Sequence, residues 1–181
     1  MESLKEWASI VNALEDGDQT ILLRKGGILD VTSGFKIESK KFLMFPIQEH
    51  QNEVNIKPQF HKYLEHAKQN PPRNGFNKIT SYAEILAETD ISSNEKIKGL
   101  SSFHIWSDKY INERRNWKPE NPMKAIFVKT YKIPELDIPL KSEYQGCKSW
   151  ININEEIPIG KAVLRYTEIK PKLDDFMEII K

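Results

Sequence analysis

The first residues of the chain carry apolar side chains at helical spacing. Leu4, Trp7 and Val11 fall on one face of a helix drawn through Ser3–Glu15, with Ser3 at its N-cap. The Asp-Gly-Asp that follows, residues 16–18, is typical of a helix end, because glycine accepts the backbone conformation that stops a helix. The pattern therefore predicts an amphipathic helix at the start of the chain.

The middle of the chain changes to short apolar runs and to alternation of apolar and polar residues, which is typical of β-strands. Residues 79–86 favour a strand of about ten residues, with a helix as the alternative because they include Ala and Glu. Prolines at positions 134, 139, 158 and 171 indicate short strands and irregular chain in the last third. The predicted strands are Gln19–Arg24, which we place at the centre of the sheet, Gly34–Phe45, ended by Pro46, the segment 79–86, and Met123–Ile133.

Four further segments with helical patterns lie between or after these strands. They are Pro58–Gln69, Asn94–Gly99, Ser107–Arg115 and Lys172–Lys181. This order of elements predicts an α+β fold, with either a mixed β-barrel or a strongly bent sheet and flanking helices. A boundary at Pro71-Pro72 would leave a first piece of about 70 residues, which is marginal as a domain. We therefore expect a single domain over residues 1–181.

The composition excludes several classes of protein. With 39% hydrophobic and 29% charged residues, the chain has enough apolar material to fold, and no apolar run approaches the ~20 residues of a membrane span. The first residues lack the basic and apolar regions of a signal peptide, so we expect a cytoplasmic protein without membrane contact. Cys147 is the single cysteine, and glycine-rich phosphate loops are absent. We therefore expect no disulfide, metal or cofactor.

The net charge of +1 conceals two basic segments. Residues 56–78 hold five basic residues against one acid, and residues 107–133 hold seven against three. In the second segment Arg114 and Arg115 lie beside Trp117, and guanidinium groups next to an indole are a pairing typical of phosphate contact and base stacking. The alternative is a solvated lysine-rich surface with Trp117 packed beneath it.

A polar cluster, Glu49-His50-Gln51, follows the apolar run FLMFP. Adjacent hydrogen-bonding side chains at the end of a strand suit the rim of a pocket, and a Glu–His pair can transfer protons. An ordinary polar loop is the alternative. Because Gln19–Arg24 also ends in a polar residue, we expect Arg24 to lie near His50 in one cleft.

Several short segments of the sequence resemble an uncharacterised prokaryotic family, the domain-of-unknown-function family eighteen-oh-two. This resemblance spans residues 5–150 and implies a cytoplasmic prokaryotic protein of this size, without an established activity. The residues that carry it are 5–8 (KEWA), 22–28 (LLRKGGI), 42–46 (FLMFP), 49–51 (EHQ) and 146–150 (GCKSW).

Residues 17–24 are also similar to a motif of the ASCH branch of the PUA-like superfamily, Gly-x-Lys-x-x-x-x-Arg. Gly17 and Arg24 match this motif, whereas Gln19 replaces its lysine. The resemblance implies a small β-barrel whose cleft binds nucleic acid or modified bases. Some members cleave RNA or hydrolyse modified nucleosides with the motif lysine, a role that Gln19 cannot take.

The leading hypothesis is a PUA-like module that binds RNA or single-stranded nucleic acid. Whether the protein is also an enzyme stays open: a nuclease or modified-nucleoside hydrolase could use the same cleft, with Glu49 and His50 as catalytic groups. A third hypothesis is a protein-interaction component without a nucleic-acid role, which the near-neutral charge favours. The residues expected to bind nucleic acid are Arg24 and Lys25 at phosphates, Arg114 and Lys118 along a basic track, Trp117 under a base, and Gln51, beside Glu49 and His50, at base edges.

Overall fold

The computed structural model describes residues 1–25 and 34–181 of the chain. The Gly26-Gly27 pair expected to end the strand Gln19–Arg24 lies outside the described residues. Short 3₁₀ turns at Glu53–Asn55, Pro58–Phe60, Leu100–Phe103 and Ser142–Tyr144 connect the main elements. These elements are β1 (Glu2–Trp7), α1 (Ala8–Asp16), β2 (Ile21–Arg24), β3 (Lys41–Ile47), α2 (His61–Gln69), β4 (Phe76–Ile91), α3 (Asn94–Gly99), α4 (Asp108–Asn116), β5 (Met123–Pro139), β6 (Trp150–Asn152), β7 (Lys161–Ala162) and α5 (Tyr166–Ile180).

The described strands form one mixed sheet in the order β2-β5-β4-β3-β1-β6, with β7 paired to β5. The β1–β3 pair is parallel and the other pairs are antiparallel. Helices flank this sheet, which confirms the α+β fold class. Within the described residues, β2 and β6 remain separate edges, so the sheet is not closed into a barrel.

The sheet is nevertheless strongly bent, as the position of Arg24 demonstrates. β2 and β1 are four strand spacings apart, or roughly 19 Å in a flat sheet. Yet Arg24 at the end of β2 donates a hydrogen bond to the backbone carbonyl of Lys5 in β1 at 3.3 Å. Irregular pairing of β4 with β5, between Ile79 and Ser81 and again further along, adds local twist. Of the two predicted forms of the sheet, the bent one is correct.

The two faces of the sheet carry different hydrophobic clusters. Phe42 and Met44 of β3 point to the inner face, where they share a core with α1 and α5. The alternate residues Leu43 and Phe45 point to the outer face and pack in a smaller cluster with Tyr144. This alternation along one strand defines the terms inner face and outer face used below.

The predicted helix Ser3–Glu15 is wrong in its first half. Residues 2–7 form β1, which lies between β3 and β6 and takes hydrogen bonds from both. Apolar residues three and four positions apart also occur in a strand that is buried on both faces. The spacing alone therefore does not distinguish a helix from a strand in this segment. The end of the helix is as predicted, since Gly17 adopts φ 78° and its N–H donates to the carbonyl of Leu14.

Several other boundaries also differ from the sequence pattern. β2 is an edge strand rather than the central one, and β3 runs through Pro46 to Ile47. β4 and β5 have 16 and 17 residues, longer than predicted, because their pairing continues through prolines and bulges. α5 begins at Tyr166 and contains Pro171, and at its start the Glu168 carboxylate accepts a hydrogen bond from the backbone N–H of Arg165 at 2.8 Å.

The remaining predicted elements are confirmed. α2, α3 and α4 form where predicted, and Ser93 and Ser107 cap α3 and α4 with their side chains. Trp7 and Trp150 both pack in the core: Trp7 is 9% exposed, and the Trp150 ring lies edge-on to Phe42 at 5.1 Å. Within residues 1–25 and 34–181, every helix is too short or too polar to cross a membrane.

Candidate functional site

Arg24 is held by groups of the protein itself. Its Nη1 donates to Glu6 Oε2 at 2.9 Å, and its Nη2 donates to Ser149 Oγ at 2.9 Å. The guanidinium carbon also lies 5.1 Å from the centroid of the Phe35 ring. With side-chain exposures of 18% for Arg24 and 6% for Glu6, this ion pair is largely buried. These contacts join the end of β2 to β1 and to the residue before β6. The first role of Arg24 is therefore to hold together distant strands of the bent sheet.

Lys25 is also buried, with 3% of its surface exposed. Its Nζ donates to the backbone carbonyl of Arg115 in the last turn of α4. Burial lowers the pKa of Lys25, and the neighbouring cations Arg114 and Arg115 lower it further, partly opposed by Glu120. The end of β2 is thereby fixed beneath the basic end of α4.

Trp117 follows α4 directly, and two cationic side chains, one from before it in the sequence and one from after it, lie close to its ring. The guanidinium carbon of Arg114 lies 5.0 Å from the Trp117 ring centroid, and Lys118 Nζ lies 4.8 Å from it. All three residues are half-buried, and Lys118 adopts φ 47°, in the left-handed region. We call Lys25, Arg114, Arg115, Trp117 and Lys118 the Trp117 cluster. Its chemistry is that of fixed positive charge around a partly exposed indole.

Glu49 and His50 line a different feature, a cavity of about 470 Å³ on the outer face. Lys5 borders the same cavity, and its Nζ donates to the carbonyls of Tyr144 at 2.8 Å and Gly146 at 2.9 Å. Burial lowers the pKa of Lys5, and Glu49 opposes that shift. We call this space the outer cavity. The predicted pocket rim at Glu49 and His50 is therefore present.

The expected common cleft for Arg24 and His50 is wrong. Arg24 binds Glu6, whereas the outer cavity is lined by the side chain of Lys5, the preceding residue of β1. Adjacent residues of a strand point to opposite faces of the sheet, so the two predicted sites are separated by β1. The end of β2 and the end of β3 do not share one opening.

Two glutamines that the sequence singled out have structural partners. Gln51 Oε1 accepts from the backbone N–H of Ser9 at 3.1 Å, which caps the start of α1 from a distant loop. Gln19, at the position of the motif lysine, is 1% exposed. Its amide donates to the Ile21 carbonyl at 2.9 Å and accepts from the Ile105 N–H at 3.1 Å. Gln19 thus ties β2 to the segment before α4.

Lys5 is the site residue that the sequence analysis missed. Lys5 falls within the predicted helix Ser3–Glu15, whereas its place in β1 brings its amine to the outer cavity. Among residues 1–25 and 34–181, no three His, Cys, Asp or Glu side chains come together as a metal site.

Comparison with known proteins gave matches of two kinds. The ASCH protein from Zymomonas mobilis has a similar solved structure, with 11% sequence identity, a TM-score of 0.45, and 96% of this chain and 93% of that chain covered. Two single-residue variants of that protein, 9% and 10% identical, have TM-scores of 0.42 and 0.40, cover 96% of this chain, and are themselves covered over 94% and 96% of their length. Curated protein sequences gave no significant match. The model of the family described as Domain of unknown function (DUF1802) matches residues 3–172, and the chain therefore belongs to that family.

Proposed function

We propose that the protein binds RNA or another single-stranded nucleic acid through the Trp117 cluster. The observation that carries the proposal is the half-buried Trp117 ring with the Arg114 guanidinium and the Lys118 ammonium each within about 5 Å of its centroid. Single-stranded nucleic acid offers the two groups that such a cluster binds, namely phosphates for the cations and base faces for the indole.

The electrostatics around Lys25 support the same proposal. Burial is the largest cause of the lowered pKa of Lys25, and the two arginines beside it lower that pKa further, which is the effect of a locally positive potential. Glu120 is near enough to offset part of this field. A phosphate at Arg114 would lower the repulsion between these cations as well as form its own charged hydrogen bonds.

The roles first expected for the other residues change accordingly. Arg24 contributes by holding β2 in place, because its charge is already paired with Glu6. Gln51 caps α1, and Glu49 and His50 line the outer cavity, whose described lining includes no member of the Trp117 cluster. Hydrolysis in a common cleft therefore has less support than binding alone.

Fluorescence anisotropy with labelled single-stranded RNA and DNA, over a series of salt concentrations, tests the proposal. Arg114→Ala should reduce the salt slope of log Kd by about one and act on all sequences alike. Trp117→Ala should weaken binding by about 1–3 kcal/mol with little change in salt slope, because stacking carries no net charge. Arg165→Ala is the matched control, since Arg165 is an arginine at the start of another helix with 81% of its side chain exposed.

Two results would overturn the proposal. One is a wild-type protein without measurable affinity for either nucleic acid at low salt, which would leave the protein-interaction hypothesis in front. The other is an equal loss of affinity for Arg114→Ala and Arg165→Ala, because charge anywhere on the surface would then be sufficient. Circular dichroism and thermal melting of Trp117→Ala separate lost binding from lost structure.

A further inference from the structure

Three lysines among residues 1–25 and 34–181 combine an Nζ that donates to backbone carbonyls with a pKa that burial lowers. Lys25 donates to Arg115, Lys57 donates to Ser101 and His104, and Lys5 donates to Tyr144 and Gly146. Burial is the largest cause of a lowered pKa in all three. Lys5 differs from Lys25 and Lys57 because it also borders the outer cavity.

An ammonium group has three N–H donors, and the two carbonyls occupy two of them at Lys5. The third donor is left for the cavity side of the amine. Burial of Lys5 is a cost to the fold that an anion in the cavity would reduce, because an opposite charge at hydrogen-bond range stabilises the ammonium form. The Lys5 ammonium, held in place by two carbonyls, can therefore stabilise a negatively charged group in the cavity.

The rest of the outer cavity is mainly apolar. Phe45, Phe76 and Leu140 contribute side chains to its walls, and the turn of Tyr144 closes one side. Its volume of about 470 Å³ is within the range of small-molecule sites, roughly 300–1,000 Å³. Aromatic and aliphatic side chains in the walls of a cavity of this volume suit a planar apolar ligand.

The charged residues that line the cavity determine which sign of charge on a ligand is favoured. Among the described lining residues Glu49 is the one carboxylate, whereas Lys5 and Lys141 are cations. Lys141 is paired with Glu143 at 3.5 Å, whereas the hydrogen-bond partners of Lys5 are neutral carbonyls, so Lys5 supplies the charge that an anionic ligand would neutralise. A cationic ligand would meet Lys5 directly and is therefore disfavoured.

We propose that the outer cavity binds a small planar molecule with an aromatic body and one anionic group, of the aromatic carboxylate class. Lys5 donates to the carboxylate, and Phe76 and Leu140 pack against the ring. This site is on the opposite side of β1 from Arg24, and it does not depend on the nucleic-acid proposal.

The test compares 2-naphthoate with 2-naphthamide and 2-naphthamidine, which share a ring and differ in charge. Titration of the full chain by isothermal calorimetry should give one site per chain, with 2-naphthoate at least tenfold tighter than the neutral amide and the amidine weakest. Glu49→Gln should tighten 2-naphthoate several-fold, because it removes the opposing carboxylate from an exposed position. Equal affinities for the three probes, or no binding, would overturn the proposal.

Variants then locate the site. Leu140→Asp places a charge on the apolar wall at a residue that is 52% exposed, and it should abolish binding of 2-naphthoate. Val54→Asp is the matched control, since Val54 is 56% exposed and lies outside the cavity lining. Lys5→Met should remove the preference for the carboxylate over the amide; if that variant fails to fold, Leu140→Asp and Glu49→Gln still decide. Unchanged binding in Leu140→Asp would place the ligand elsewhere and contradict the proposal.

Discussion

The ion pair between Arg24 and Glu6 offers the sharpest test of how the bent sheet is held. Replacing Arg24 by Met keeps most of the side-chain volume and removes the charge, which leaves the Glu6 carboxylate 6% exposed with the Trp7 N–H as its remaining hydrogen-bond donor. Breaking a buried pair by removing one partner costs about 3–5 kcal/mol, because the other charge stays uncompensated. We expect a loss of this size in the free energy of unfolding for Arg24→Met, and a similar loss for Glu6→Leu.

The double variant shows whether Arg24 and Glu6 stabilise the fold as a pair or contribute independently to the free energy of unfolding. When both charges are removed, no uncompensated group remains, so Arg24→Met combined with Glu6→Leu should cost about 2–3 kcal/mol less than the sum of the single changes. Urea unfolding followed by tryptophan fluorescence measures all three variants. The exposed pair Lys181–Glu178, at 2.7 Å, is the matched control, and its removal should leave the urea midpoint unchanged. Strictly additive losses at Arg24 and Glu6 would refute the reasoning.

Three further predictions concern single side chains. Burial lowers the pKa of His104 to about 3, so the unfolded chain, with a histidine pKa near 6.5, binds a proton that the fold excludes. The contribution of His104 to the free energy of unfolding should therefore be fully present above about pH 7 and fall below it, by about 2 kcal/mol at pH 5. Urea unfolding at both pH values should give a smaller difference for His104→Phe but not for the exposed His66→Gln, and equal differences would contradict the prediction. Trp7→Ala should cost about 3–5 kcal/mol in the same assay, because Trp7 is 9% exposed and packs on Tyr110; wild-type stability would count against its burial. Gln51→Ala should cost about 1 kcal/mol by uncapping α1 while leaving nucleic-acid affinity unchanged, and a selective loss of affinity would instead restore Gln51 as a binding residue.

The elements that the sequence predicted well are those specified by neighbouring residues. Ser107 caps α4 with its own side chain, and β5 contains the apolar run 125–128 with alternating apolar and polar residues after it. β1 was missed because its strand conformation depends on β3 and β6, which are far away in the sequence. Pro171 misled for a related reason. The hydrogen bond from the Arg165 N–H to Glu168 and the burial of Phe176 stabilise a helix around a residue that usually ends one.

The candidate sites divide in the same way. Arg114, Trp117 and Lys118 are close in sequence, so their association followed from spacing alone. The partners of Arg24 and Lys25 are not, since Ser149 lies 125 positions from Arg24 and Arg115 lies 90 positions from Lys25. The sequence therefore could not show that Arg24 and Lys25 have partners within the protein.

The pairing of β1 with β6 has a consequence for the order in which the molecule can form. Glu2 is bonded to Asn152, 150 positions later, and β1 is also the partner of β3. At a synthesis rate of about 5–20 residues per second, roughly 8–30 s separate the two strands on the ribosome. During that interval β1 can pair with β3, but its other edge stays open, as does the apolar face that Trp150 later covers. A nascent chain of this protein therefore carries an unpaired strand edge for most of its synthesis, which is the period when a chaperone would be most useful to it.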